Sequence, residues 1–145
     1  MMSDPLNNNR YHSPVEQRIV YHNNGAHINA SPADTKAYMA SLLTSLTNHV
    51  QALRSDATPD GFAIHVVCHG AGVDLFGIVE ADETLKNRFD GLHEQGVRFL
   101  VCANTLRARA LEPKNLCRVA ENDIVPSGVA ELGYLQMQGF AYIHL

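Results

Sequence analysis

The sequence has no apolar run approaching the ~20 residues that a bilayer-spanning helix needs. Its first residues, Met1 to Pro14, are polar and Asn-rich and lack the apolar core of a secretory signal. A cytoplasmic setting is therefore the default expectation. Lysine and arginine number 11 against 15 acidic residues, a formal charge of -4, and no basic block stands out. That argues against a broad nucleic-acid footprint. Cysteine is sparse, with three residues at irregular spacing (Cys68, Cys102 and Cys117). An odd number without a C-x-x-C pair excludes a disulfide framework, so reduced thiols are expected. No G-x-G-x-x-G, P-loop lysine, nucleophile elbow or Ser-His-Asp constellation is present, which sets dinucleotide enzymes and hydrolases aside. Internal repeats are also missing.

What is present fits one domain. At 145 residues and 46% hydrophobic content, such a chain buries about 68–70% of the surface it exposes when unfolded. Residues 1–16 are expected to form a flexible arm and residues 17–145 a single domain. Arg18 to His22 reads as a first strand. Ser31 then stands as the N-cap of a helix, with Pro32 at its first position and Asp34 closing a variant capping box. Met39, Leu42, Leu43, Leu46, Val50 and Leu53 recur at the 3–4 spacing of one buried helix face. Thr58-Pro59-Asp60-Gly61 signals a turn.

Phe62 to Cys68 is the second strand, followed by the turn His69-Gly70-Ala71-Gly72. Asp82 caps a helix carrying Leu85, Phe89 and Leu92, which Gly96 ends. Val97 to Cys102 is the third strand, with short helical pieces expected at 105–110 and after Pro113. Ile124-Val125 is a fourth strand. Pro126-Ser127 opens a last helix, Gly139 stops it, and Phe140 to His144 is a fifth strand. Alternating strands and helices predict a three-layer α/β/α domain with a mainly parallel five-stranded sheet. In such sheets chemistry gathers at the carboxyl ends of the strands.

Three strand ends carry reactive or polar side chains: His22-Asn23, Cys68-His69 and Cys102-Asn104. Cys102 is the leading candidate. A thiol at the junction of a strand and a helix start, with arginines nearby, has its pKa lowered, and the thiolate is the nucleophile. Arg107 and Arg109 follow within two helical turns but lie about 200° apart around the axis. Arg107 shares the face of Asn104 and is the preferred anion-stabilising residue. His69, at the neighbouring strand end, is the candidate acid/base partner. Asn104 and Thr105, expected as the N-cap and first turn of the helix, join Gly70 and Asn23 as candidate substrate-binding positions. Cys68 alternates with Ile64 and Val66 and reads as core, and Cys117 is expected to pack in a short helix. Gly133 costs its helix ~1 kcal/mol against alanine and reads as a close-packing position. No local ligand pair beyond adjacent Cys68-His69 supports a metal site, so no metal is expected.

Val66-Val67-Cys68-His69-Gly70, then Gly96 to Leu106, then Ile124 to Leu132 running on to Gly139-Phe140-Ala141-Tyr142-Ile143, together resemble the DsrE/DsrF-like family. The resemblance covers about residues 18–145. It implies a five-stranded α/β/α domain that assembles as a homotrimer or homohexamer. It also implies that a cysteine at the Cys102 position carries a persulfide in sulfur-relay members, in exchange with a donor or acceptor protein. Unlike some sulfur carriers, this sequence has no cysteine after Cys117. The expected function is sulfur transfer through Cys102, with no organic cofactor, no nucleic acid and no membrane. The competing expectation is a non-catalytic oligomeric module that binds a small anionic ligand or a partner protein.

Overall fold

The computed structural model describes residues 6, 10–11, 15–55 and 61–145. Most of the expected arm, and the expected turn apart from Gly61, lie outside the described residues. The chain alternates strand and helix. β1 (Gln17–Asn23) leads into α1 (Pro32–Ser55), and β2 (Phe62–Cys68) into a tight 3-10 turn at Gly70–Val73. Helices α2 (Asp74–Glu80) and α3 (Glu83–Glu94) follow, then β3 (Arg98–Cys102) and the short α4 (Ala103–Ala108). After two 3-10 turns come β4 (Ile124–Val125), α5 (Gly128–Met137) and β5 (Ala141–His144). All strand pairings are parallel, in the spatial order β4-β3-β2-β1-β5. The predicted architecture is the observed one, and no described helix is long and apolar enough to cross a membrane.

The helix starts form for the reasons the sequence offers. Ser31 Oγ accepts from the Asp34 N–H at 3.1 Å while Asp34 Oδ2 accepts from the Ser31 N–H at 3.3 Å. This reciprocal pair satisfies two donors that a helix end otherwise leaves open. Asp82 caps α3 through the Leu85 N–H, and Ser127 caps α5 through the Ala130 N–H. Because side chains alternate across a strand, the sheet feeds two cores. Ile19, Tyr21, Ile64, Val66, Phe99 and Val101 pack beneath α1, α2 and α3, with all six apolar residues of the α1 stripe buried. Val20, Val67, Leu100 and Val125 pack beneath α5 alone, against Leu132 and Leu135.

Three expectations change. Helix α2 was not expected, although Leu75, Phe76 and Val79 have helical spacing behind Asp74 and are buried. Cys117 is buried in a turn between the two 3-10 segments rather than in a helix. Among the described residues a Cβ at Gly133 would meet nothing within 4 Å, so this glycine makes no close packing with them.

Candidate functional site

The sheet register decides which side chains meet. Cys68 pairs with Val101 across β2 and β3, so the next residues, His69 and Cys102, stand side by side. His69 keeps extended backbone angles (φ -145°, ψ 164°), and the alternation therefore runs on through it. Val67 and Leu100 face α5, which puts the side chains two residues later, His69 and Cys102, on that same side. Both flank the first residue of α5. A Cβ at Gly128 would lie 2.9 Å from His69 Cβ and 3.3 Å from Cys102 Cβ, so only glycine fits without displacement. The glycine lets the α5 backbone approach the thiol.

Cys102 is 5% exposed and is itself the N-cap of α4, with Ala103 the first helical residue. Asn104 and Thr105 occupy the first turn, and the expectation that they supply the N-cap is corrected accordingly. Burial pushes the thiol pKa up. The backbone N–H groups of Gly128 and Thr105, the Thr105 hydroxyl and the Asn104 N–H outweigh it, and the net direction is down. The thiol makes no capping hydrogen bond of full geometry, so these donors act on the sulfur as nearby dipoles that favour its anion. The other two cysteines go the opposite way. Burial raises Cys68 to about 12. Burial, with Glu80 beside it, raises Cys117 to about 11.

The expected helpers divide. Thr105 does double duty, since its Oγ1 also accepts the Gly70 N–H at 2.8 Å. The backbone N–H of Gly70, a candidate substrate-binding position, is thus taken up by Thr105. Arg109 donates to the Gly70 carbonyl at 3.1 Å and pairs with Asp74 at 2.6 Å, fixing the turn from outside. Arg107 is exposed and bonded to Asn104 Oδ1. The groups that lower the thiol pKa are therefore dipoles of the backbone and a hydroxyl, with Arg107 held beside Asn104.

Asn23 is fully buried. Its Nδ2 donates to the Gly72 carbonyl at 3.1 Å and its Oδ1 accepts the Gly25 N–H at 3.2 Å. Its own carbonyl accepts the His69 N–H at 3.1 Å. A Cβ at Gly72 would sit 1.9 Å from that carbonyl oxygen. Asn23 thus positions the turn carrying His69 and Gly70, with its polar atoms inside the fold rather than toward a substrate.

A row of rings completes the site, and sequence reasoning did not find most of it. His22 Nε2 lies 2.6 Å from His69 Nε2, and His22 Nδ1 lies 2.6 Å from the Tyr142 hydroxyl. His144 stacks on His22 with centroids 4.7 Å apart, and its Nε2 lies 3.0 Å from Asn24 Oδ1. Burial first, then the neighbouring His69 and His144, lower the His22 pKa to about 4. Burial lowers His69 as well, so both rings are neutral near pH 7. Among the described residues no three of His, Cys, Asp and Glu are grouped to hold a metal ion.

Residues 19–145 match the model of the DsrE/DsrF-like family. The chain belongs to that family. DsrE/DsrF-like proteins are associated with sulfur relay. The DsrE/DsrF-like chain is similar to a solved structure, the protein of unknown function MTH1491 from Methanobacterium thermoautotrophicum. The two share 27% identity and a TM-score of 0.68, over 90% of this chain and 100% of that one. No curated protein matches it.

Proposed function

We propose that this protein carries sulfur as a persulfide on Cys102. The observation that carries the reading is the convergence of N–H donors from two helices on the Cys102 thiol at the sheet's carboxyl edge, an arrangement that favours its anion. In the loading step the Cys102 thiolate attacks the outer sulfur of a donor persulfide. A bond forms from Sγ to that sulfur, the donor's S–S bond breaks, and its electron pair leaves as a thiolate. Cys102 is left as a persulfide anion facing the Gly128, Asn104 and Thr105 N–H groups. An acceptor thiolate then repeats the attack on the outer sulfur and returns Cys102 to its starting state. The cycle has no net redox change and uses no organic cofactor. His69 handles the proton, and Arg107 and Asn104 form the polar rim. A reduced, cytoplasmic setting suits the three free thiols.

Intact-protein mass spectrometry after incubation with a small persulfide donor tests the proposal. A reducible gain of one sulfur in the wild type and none in Cys102→Ser is the supporting outcome. An unloaded wild type, folded and reactive toward alkylating agents, overturns it. A second reading, a non-catalytic oligomeric module, draws support from the exposed side chains Val129, Tyr134 and Met137 on α5. Self-association to a trimer or hexamer through that face is compatible with both readings, and sedimentation measures it directly. The module keeps its ligand or partner in Cys102→Ser, whereas the carrier loses its sulfur.

A further inference from the structure

The rings beside Cys102 are joined in a way that sulfur transfer alone does not require. The planes of His22 and His69 are inclined by only 15° with centroids 4.8 Å apart. With the two Nε2 atoms at 2.6 Å, the rings meet edge to edge, as an N–H···N bond demands, rather than face to face. The other nitrogen of His22 is engaged by the Tyr142 hydroxyl, and Tyr142 is 44% exposed. His69 in turn flanks Cys102 across Gly128. The result is a hydrogen-bonded row of side chains that begins at His69, the neighbour of Cys102 across Gly128, and reaches solvent at the edge strand β5.

A neutral imidazole has one donor and one acceptor nitrogen, so this path has two self-consistent settings. In one, His69 Nε2–H donates to His22, His22 Nδ1–H donates to the Tyr142 oxygen, and His69 Nδ1 is an open acceptor. In the other, the tyrosine hydroxyl donates to His22 Nδ1, His22 Nε2–H donates to His69, and His69 Nδ1 carries a hydrogen. We propose that His69, His22 and Tyr142 form a proton wire that moves the Cys102 thiol proton to solvent, with His22 and Tyr142 as positioning residues that set the tautomer of His69. The inference rests on the reading of Cys102 as a nucleophile.

The step balances. The thiol gives its proton to His69 Nδ1, and the Nε2 proton of His69 moves to His22 Nε2. The Nδ1 proton of His22 moves to the Tyr142 oxygen, and the tyrosine's original proton passes to water. One proton enters and one leaves, no imidazolium forms, and Cys102 ends as a thiolate facing the His69 Nδ1–H. The wire needs neutral rings, which burial provides at both histidines. Packed against it are His144 from β5, itself held by Asn24 in the loop after β1, and Gly128 at the start of α5. His144 stacks on His22 and leaves both of its nitrogens to the wire.

The test is the pH dependence of iodoacetamide alkylation at Cys102, followed by mass spectrometry, in wild type, Tyr142→Phe and His22→Gln. Losing the hydroxyl or the second imidazole removes the bias toward the His69 Nδ1–H setting. The alkylation midpoint then rises by about one pH unit, a roughly tenfold loss of thiolate at neutral pH, while the plateau rate at high pH stays at the wild-type value. His65→Gln serves as the control. It is on the same sheet face but toward the other end of β2, against Phe140, and leaves the midpoint in place. A purely structural role for Tyr142 lowers the unfolding temperature without moving the midpoint. Wild-type midpoints in both Tyr142→Phe and His22→Gln overturn the wire, as does an equal shift in His65→Gln. Should Tyr142→Phe fold poorly, His22→Gln alone decides. Failure of sulfur loading with shifted midpoints removes the carrier reading and leaves the wire. Loading with unmoved midpoints does the reverse.

Discussion

Gly128→Ala is the perturbation that bears on fold and chemistry at once. The added methyl would stand 2.9 Å from His69 Cβ, 3.1 Å from His69 Cγ and 3.3 Å from Cys102 Cβ. Two of these atoms are the Cβ atoms of residues fixed by β2 and β3, so the relief must come from the α5 N-terminus moving outward. Inserting a methylene-sized group into a packed site costs ~1–3 kcal/mol. Alanine returns at most ~1 kcal/mol of helix propensity. The net is a destabilisation of about 1–2 kcal/mol, or roughly 2–8 °C in Tm for a chain of this length. The same movement draws the Gly128 N–H away from the sulfur. Moving that dipole away weakens its support of the anion, so the thiol pKa rises. Urea unfolding gives the stability, and the pH profile of Cys102 alkylation gives the thiol. Gly133→Ala, five residues along the same helix, meets nothing within 4 Å among the described residues and is expected to gain up to ~1 kcal/mol. Gly128→Ala as stable as wild type, with its thiol unchanged, refutes the reasoning.

Iodoacetamide should modify Cys102 faster than Cys117 in the folded protein, even though Cys117 is the more exposed at 9% against 5%. Equal rates would show that access rather than thiolate character sets reactivity. Stability should fall on acidification from pH 7.5 to 5. His22, His49, His65, His69 and His93 are all lowered by burial, so below ~6.5 the unfolded chain binds protons that the folded chain refuses. Their contribution is complete above the unfolded value and is lost toward the folded ones, about 4 for His22. Discounted for its partial exposure, His22 alone accounts for roughly 1 kcal/mol at pH 5. A urea midpoint that holds or rises on acidification contradicts this. Asn23→Ala should cost about 1–3 kcal/mol by leaving the Gly25 N–H without its partner and removing one of the donors to the Gly72 carbonyl. A loss under 1 kcal/mol, read from urea unfolding, would show that the Asn23 side chain does not hold the turn.

The alternation of strands and helices was legible because its signals are local. The Ser31–Asp34 box, the α1 stripe and the Asp82 cap are each contained within a few turns of chain. Cys102 was legible for the same reason, as the residue where an apolar run stops and a helix begins. Helix α2 escaped because only one turn-length apolar pattern, Leu75, Phe76 and Val79, marks it behind two glycines. The ring row escaped for a different reason. His22 and Tyr142 are 120 residues apart, and only the parallel β1–β5 register, with His22 opposite His144, brings them together. Asn23 and Gly70 were rightly placed at strand ends, but whether a polar group there faces outward or satisfies the backbone is set by burial. Burial depends on the Asn23–Gly72 contact between two elements.

The most direct measurement is the spectroscopic titration of the Cys102 thiol. The far-ultraviolet thiolate absorbance of the wild type minus that of Cys102→Ser isolates this one group, since burial raises Cys68 and Cys117 to about 12 and about 11. A midpoint below that of a short cysteine peptide in the same buffer is the expected result, the signature of a thiolate held by the Gly128, Thr105 and Asn104 donors. A midpoint at or above the peptide's would mean that burial wins over those dipoles, and Cys102 would then be a core thiol rather than a sulfur carrier.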